Sequence, residues 1–276
     1  MEGHAMKSIL LHIRDDRGDE GRLQAACDIA RATGAHIRCV QLSAVPELMM
    51  VDVYGGAALA PSVAEELREM DDALRTRMEA RLAREDVQWD WKQWESDTVH
   101  GLLFAARLAD LIVATLAQGP RQGVRDPLNM VADLALGGRT PVLAMPETAD
   151  RFAVTGRAMV AWDGSAEAAA ALIHAVPLLK LAQAVHVVTV EEEEKPDFPA
   201  TEAPEYLARH GIGVELHSLP RRGEPVEAVL TRMMETLRAD WVVMGVFGHS
   251  RVREMVFGGV TRRMLRDTRI PLLLAH

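Results

Sequence analysis

The sequence predicts an α/β protein built as two tandem doubly wound domains, each a parallel sheet with helices on both faces. Three observations carry this. Short runs rich in β-branched residues alternate with stretches of helical periodicity along the whole chain. The same order of elements occurs twice. The length of 276 residues suits about two domains.

The second half shows the unit most clearly. Ala158–Trp162 is a short apolar run, and Ala166–Leu181 an Ala/Leu-rich helical segment. Ala184–Val190 (AVHVVTV) reads as a second strand, Pro204–His210 as a short helix and Val214–Leu219 as a third strand. Pro225–Leu237 is a helix with proline in its first turn, where the missing N–H costs nothing. Trp241–Gly245, Gly259–Arg266 and Leu272–Ala275 complete the unit as strand, helix and strand. Strands separated by helices demand crossover connections, hence a parallel sheet covered on both faces.

The first half follows the same order. Its strands are expected at Ser8–Ile13, His36–Leu42, Val87–Glu95, Leu111–Ala114 and Val142–Met145. Its helices are expected at Gly21–Thr33, Ser62–Arg84, Val99–Arg107 and Leu128–Leu136. HIRCVQL from His36 aligns with AVHVVTV from Ala184 at an offset of 148, whereas Asp110-Leu111 aligns with Asp240-Trp241 at 130. The first half is therefore 148 − 130 = 18 residues longer, all between its second and fourth strands. That extra length includes the Gly-rich stretch Val53–Pro61, which reads as a mobile loop. The boundary falls near Glu147–Val154, giving domains 6–146 and 155–276, and two separate copies are expected rather than one continuous sheet.

Composition bounds the function. Hydrophobic residues are 49% and charged ones 26%, which suits a well-packed globular protein and excludes extensive disorder. The formal net charge of −9 argues against a partner held by phosphate-backbone electrostatics, so no nucleic acid is expected. No apolar run is long enough to span a bilayer, and Met1–Lys7 lacks the features of a secretory signal, so a cytoplasmic protein without a membrane partner is expected. Cys27 and Cys39 have no CxxC partner and read as small core residues in a reducing compartment, with a disulfide between them left open.

The glycine pattern introduces chemistry. After the fourth strand of the second half comes Gly245-x2-Gly248-x9-Gly258-Gly259-Val260-Thr261. Such glycines let a backbone approach a ligand and present N–H groups, and a helix beginning at Gly259 aims its positive end at an anion. In a doubly wound sheet, ligands sit at the carboxyl ends of strands where the strand order reverses. A phosphate-bearing ligand is the natural candidate, though glycines alone fit C-caps and tight turns as well. Asp163 ends the first strand of this half and offers a carboxylate to a base or ribose; its rival role is to cap the helix from Ala166, with Ser165 the other candidate cap.

This combination resembles the universal stress protein family. The glycine spacing, the aspartate after the first strand and the size of the unit match over Gly156–His276 and, by repeat, over Met6–Pro146. The resemblance implies five-stranded parallel sheets of order 3-2-1-4-5 and, in the nucleotide-binding branch, an ATP site, with or without Mg2+. It implies that Asp163 and the backbone of Val190 hold the adenine and that the Gly245–Gly248 loop lies beside the ribose and phosphates. Gly258, Gly259 and Val260 would supply phosphate-facing N–H groups, with the Thr261 hydroxyl nearby. It also implies pairing of fifth strands, so that Pro141–Pro146 and Pro271–His276 would make an intramolecular pseudo-dimer, with a further homodimer left open.

Two departures qualify the resemblance. The position after Gly258, commonly Ser or Thr, is Gly259 here, which removes one phosphate contact worth about 0.5–1.5 kcal/mol. His249 within the loop and Arg251 and Arg262 beside it are candidates for additional contacts, with solvent exposure their other reading. In the first half, the offset of 130 places Thr115, Gln118, Leu128, Asn129 and Val131 where the second half has Gly245, Gly248, Gly258, Gly259 and Thr261. Asp15 matches Asp163 at the offset of 148, but no loop glycine survives, so domain 6–146 is not expected to bind ATP in the same manner.

Other constellations are sparse. The ten histidines form no HExxH and there is no CxxC, so no metal site is expected. Glu191–Glu194 reads as a solvated loop, and Trp89 and Trp91 share one strand face with Trp94 on the other. The leading reading is a stress-response sensor or regulator that binds ATP in its C-terminal domain. No Walker lysine and no general base beside Thr261 are evident, so no catalytic residue is assigned and any hydrolysis is expected to be slow. A nucleotide-independent scaffold with a vestigial pocket remains an alternative. A nucleotidyl transferase is a further one, weakened because neither HxGH nor SGGxDS occurs near a first strand.

Overall fold

The computed structural model describes residues 5–43, 61–116, 127–191, 199–246 and 259–276. The first half runs β1 (Ser8–Ile13), α1 (Asp19–Thr33), β2 (His36–Ser43), α2 (Pro61–Leu82), β3 (Trp89–Glu95), α3 (Thr98–Ala105), β4 (Leu111–Leu116), α4 (Pro127–Gly137) and β5 (Val142–Pro146). A short 3-10 turn at Ala106–Leu108 follows α3. The second half runs β6 (Arg157–Ala161), α5 (Ala166–Leu179), β7 (Ala184–Glu191), α6 (Glu202–Arg209), β8 (Glu215–Pro220), α7 (Val226–Leu237), β9 (Trp241–Gly245), α8 (Gly259–Asp267) and β10 (Leu272–Ala275). The proposed mobile loop at 53–60 and residues 192–194 of the glutamate run lie outside the described residues.

The local reasons follow the sequence patterns. Helix α5 opens at Ser165, whose hydroxyl accepts the Ala168 N–H at 3.1 Å, and it buries Ala168, Ala171, Leu172, Ala175, Val176 and Leu179 at helical spacing. Strands β4 and β5 are buried at every position, as central strands covered on both faces must be. Strand β4 runs two residues beyond the expected Ala114 because Thr115 and Leu116 still pair with Met145 and Pro146. Among the described residues, no helix is long and apolar enough to cross a membrane.

Each half has the strand order 3-2-1-4-5, but the two sheets are not separate. Strands β5 and β10 pair antiparallel, Leu272 with Ala144, Leu273 with Leu143 and Leu274 with Val142. The result is one ten-stranded sheet of order β3-β2-β1-β4-β5-β10-β9-β6-β7-β8. The two five-stranded units stand as expected, and the fifth-strand pairing that the resemblance implies makes them continuous where separate copies are expected. The physical reason lies in the two fifth strands. Both are apolar on both faces, and an unpaired edge there would bury unsatisfied N–H and C=O groups. Pairing them satisfies those groups and leaves β3 and β8 as the sheet's edges.

The connection between the halves is packed. Phe152 is buried, its ring lies edge-on to Trp241 at 5.4 Å, and its N–H donates to Asp28 of α1 at 3.2 Å. Gly21 of α1 lies directly beneath the Ala149 carbonyl, where a Cβ would collide with it. One apolar layer, containing α1, α5, Phe152 and Trp241, therefore continues across both halves. Cys27 and Cys39 are free thiols within it, and burial pushes the Cys27 thiol up to about 11.

A matching clamp opens each half. Asp110 before β4 accepts the N–H groups of Lys7 and Ser8 at 2.7 and 2.9 Å, and Asp240 before β9 accepts that of Arg157 at 2.7 Å. These two aspartates are the pair that the offset of 130 aligns.

Candidate functional site

In each half the chain leaves the first strand in one direction for strands two and three and returns on the other side for four and five. The order of strands thus reverses between β1 and β4, and again between β6 and β9. The crevice outside the carboxyl ends at such a point is where doubly wound sheets hold ligands.

Several of the residues that the sequence singled out lie at the second reversal. Asp163 follows the end of β6 and is exposed. Its Oδ1 accepts the Ser165 N–H at 3.0 Å and the Ser165 hydroxyl at 2.6 Å, while Ser165 itself caps α5. Asp163 thus braces the cap rather than serving as one. On β7, the Val188 carbonyl accepts the Trp162 N–H at 2.9 Å. Two residues on, Val190 turns its own N–H and C=O to that same side, beyond Ala161, the last β6 residue paired with β7. Asp163 and the Val190 backbone therefore border one space.

Gly245 ends β9 under the first turn of α5. A Cβ there would lie 2.5 Å from the Glu167 carbonyl carbon and 2.9 Å from Ala168 Cα. This glycine lets helix and strand meet, the close helix–sheet contact that nucleotide-binding folds need at their first turn. Gly259 opens α8, and among the described residues nothing lies within 4 Å of where its Cβ would be. Val260 is half-buried, and Thr261 is only 5% exposed, on the face of α8 that also buries Met264 and Leu265. Helical spacing puts these three on one face, so the Thr261 hydroxyl is directed by core packing. Arg262 lies on the exposed face. Gly248, His249, Arg251 and Gly258 lie outside the described residues.

Among the described residues, different side chains stand at the first reversal. Strand pairing places Ile9 beside Ile37 and Leu111, and Ala158 beside Val185 and Trp241. This register makes Arg14 the counterpart of Asp163, one residue from the Asp15 that sequence alignment selects. A cation thus replaces the carboxylate. Asp15 is turned to solvent and paired with Arg77 at 2.8 Å. Thr115 is the counterpart of Gly245 and is buried.

Arg22, only 1% exposed, donates to the Thr115 hydroxyl, to both Asp16 oxygens at 3.1 Å and to the Arg14 carbonyl at 2.8 Å. Burial lowers the affinity of this guanidinium for its proton, with Asp16 acting in the opposite direction. Gly18, at the start of α1, makes room for Thr115: a Cβ on it would lie 2.6 Å from Thr115 Cγ2. The close helix–strand approach thus exists in both halves, with its glycine on the helix side in one and on the strand in the other. His12, buried beside this cluster, is held well below its ordinary pKa, first by burial and then by Arg22 and Arg14.

Sequence reasoning missed the Arg22 cluster, because a lone arginine on a helix reads as surface. It also missed a group far from both crevices. His186 on β7 and Glu215 and His217 on β8 come together at the sheet's edge.

Comparison with known proteins agrees with this geometry. Residues 155–276 match the universal stress protein family model. A universal stress protein of Synechocystis is 33% identical over 144 residues, covering 48% of this chain and 46% of that protein. The chain thus spans about half the length of that curated relative. A universal stress protein structure from Archaeoglobus fulgidus aligns over 98% of this chain and 96% of its own, at a TM-score of 0.76 and 15% identity. A putative universal stress protein from Pseudomonas aeruginosa aligns over 98% and 93%, at a TM-score of 0.61 and 18% identity. The two structural likenesses establish the shared fold, and the family match rests on the second half. The likeness to the universal stress protein family is thus carried by residues 155–276, and the chain as a whole shares the fold.

Proposed function

We propose that domain 155–276 binds ATP, with or without Mg2+, in the crevice between β6 and β9, as a cytoplasmic stress-response sensor with at most slow hydrolysis. The observation that carries this reading is the convergence of the Asp163 carboxylate and the outward-turned backbone of Val190 at the strand-order reversal. Together they offer an acceptor and a paired donor and acceptor, the complement of an adenine edge or ribose hydroxyl. Gly259 and Val260 begin α8 and would contribute backbone N–H groups toward phosphate. Thr261, being buried, would contribute through its N–H rather than its hydroxyl. On this reading, Gly245, Gly248, His249 and Gly258 line the ribose and phosphate side. Domain 6–146 acts as the packing partner of domain 155–276 through β5, with Arg22 at its own strand-order reversal.

The test is isothermal titration of the purified chain with Mg-ATP, beside Asp163→Ala. One site per chain is expected, weakened about tenfold or more by the substitution, as fits loss of a hydrogen bond to a charged group. No heat and no co-purified nucleotide would remove the proposal. The second reading, a nucleotide-independent scaffold, draws on Gly245, whose clearance is already taken by α5; that second outcome would favour it.

A further inference from the structure

The His186, Glu215 and His217 side chains meet on one face of the β7–β8 edge. Pairing sets His186 opposite Glu215 and Val188 opposite His217, so the two histidines are diagonal neighbours on the same face. Their ring nitrogens, His186 Nδ1 and His217 Nε2, are 3.2 Å apart. Glu215 Oε2 lies 3.4 Å from the first and Glu215 Oε1 3.7 Å from the second. We propose that these three residues bind a divalent cation of the zinc class, with the fourth coordination position facing solvent.

The distances argue for this. Tetrahedral zinc with bonds of about 2.0–2.1 Å has ligand atoms about 3.3–3.4 Å apart. The imidazole nitrogens already stand near that spacing at 3.2 Å, and each faces a different oxygen of the Glu215 carboxylate. One donor atom from each residue lies within 4.8 Å of the others before any metal draws them in. The donor set, two imidazoles and one carboxylate, is that of open three-ligand zinc sites. The histidines are largely buried, at 13% and 18% side-chain exposure, whereas Glu215 is 67% exposed. Two ligands are therefore held by the sheet, and the third closes from the solvent side. Arg157, which lies near enough to act electrostatically on His186, opposes a cation, while the Glu215 carboxylate offsets it. Because β8 is an edge strand, a metal bridging it to β7 would pin the edge of the sheet.

The experiment uses the whole chain after chelator treatment and dialysis. Zn2+ is titrated by isothermal calorimetry, and Co2+ serves as a spectroscopic substitute whose tetrahedral form absorbs strongly in the visible. The expected result is one high-affinity site per chain and a tetrahedral Co2+ spectrum. His217→Gln is expected to lose both, with affinity falling at least about 100-fold, beyond what loss of an outer-shell partner costs. Glu215→Gln, on an exposed side chain that folding does not need, should weaken Zn2+ at least about tenfold, and His210→Gln should leave it unchanged. Absence of a one-to-one site in the wild-type chain would overturn the proposal. So would Zn2+ affinity unchanged by Glu215→Gln and His217→Gln, the mark of adventitious binding to other histidines.

Discussion

The two halves place the same backbone at two strand-order reversals and fill the space oppositely. At the first, Thr115 and Arg22 interlock over Gly18, and Arg14 stands where the other half has a carboxylate. At the second, Gly245 yields to α5, and the exposed Asp163 braces the Ser165 cap. A fold can thus keep its register and helix packing while the chemistry of the crevice is exchanged. Glycine on either partner satisfies the backbone approach, so presence of a glycine at one position does not by itself mark a ligand.

The comparison breaks most severely at Asp16. Removing it leaves the buried Arg22 guanidinium without its main counter-charge, so Asp16→Ala should destabilise the chain by about 3–5 kcal/mol, read as a lower urea midpoint. Adding Arg22→Met to that variant should recover most of the loss, since a buried ion pair is often replaceable by apolar packing.

Exchanging the glycines comes next. Gly18→Ala drives a Cβ into Thr115 and should cost about 1–3 kcal/mol, and Thr115→Gly in the same chain should restore much of it. Gly245→Thr, which copies the first half, meets helix backbone rather than a side chain and should not be rescued by any single neighbour. A rescue of Gly18→Ala that is absent would mean the two contacts are independent.

Titration sharpens the contrast at His12, whose counterpart in the second half is Ala161. The folded state holds His12 neutral, so its pKa is lower folded than unfolded. The unfolded chain takes up a proton first as pH falls below about 6.5, and stability falls with it. Between pH 7 and 5, the wild type should lose up to about 1.4 kcal/mol per pH unit from this residue. Urea midpoints of His12→Gln should show a correspondingly flatter pH dependence.

The smallest effect concerns Gly259. Among the described residues nothing crowds a Cβ at this position, so Gly259→Ser should change stability by no more than about 0.5 kcal/mol. If α8 faces phosphate, the new hydroxyl should tighten Mg-ATP by roughly two- to tenfold in the same titration.

Much of this was legible in the chain. Strands β1, β9 and β10 begin and end where the apolar runs do, and α5 starts where Ser165 and the Ala-rich run require. Asp110 and Asp240, aligned by sequence alone, make the same clamp in both halves. The aspartate match failed by one residue because the loop after β1 is longer than that after β6, which only strand pairing reveals. Thr261 is a polar residue in a motif, yet the apolar spacing of Met264 and Leu265 directs its side chain inward.

By itself, the sequence determined the α/β alternation, the duplicated order of elements and the loss of glycines from the first half. These follow from periodicity and composition, which act within one element at a time. Tertiary structure decided what lies between elements. It set the antiparallel register of β5 on β10, placed Arg22 against Thr115 across 93 residues and brought His186 to His217 across 31. Those partners are chosen by strand register and helix packing, and a side chain's neighbour across a sheet is set by that register rather than by distance along the chain.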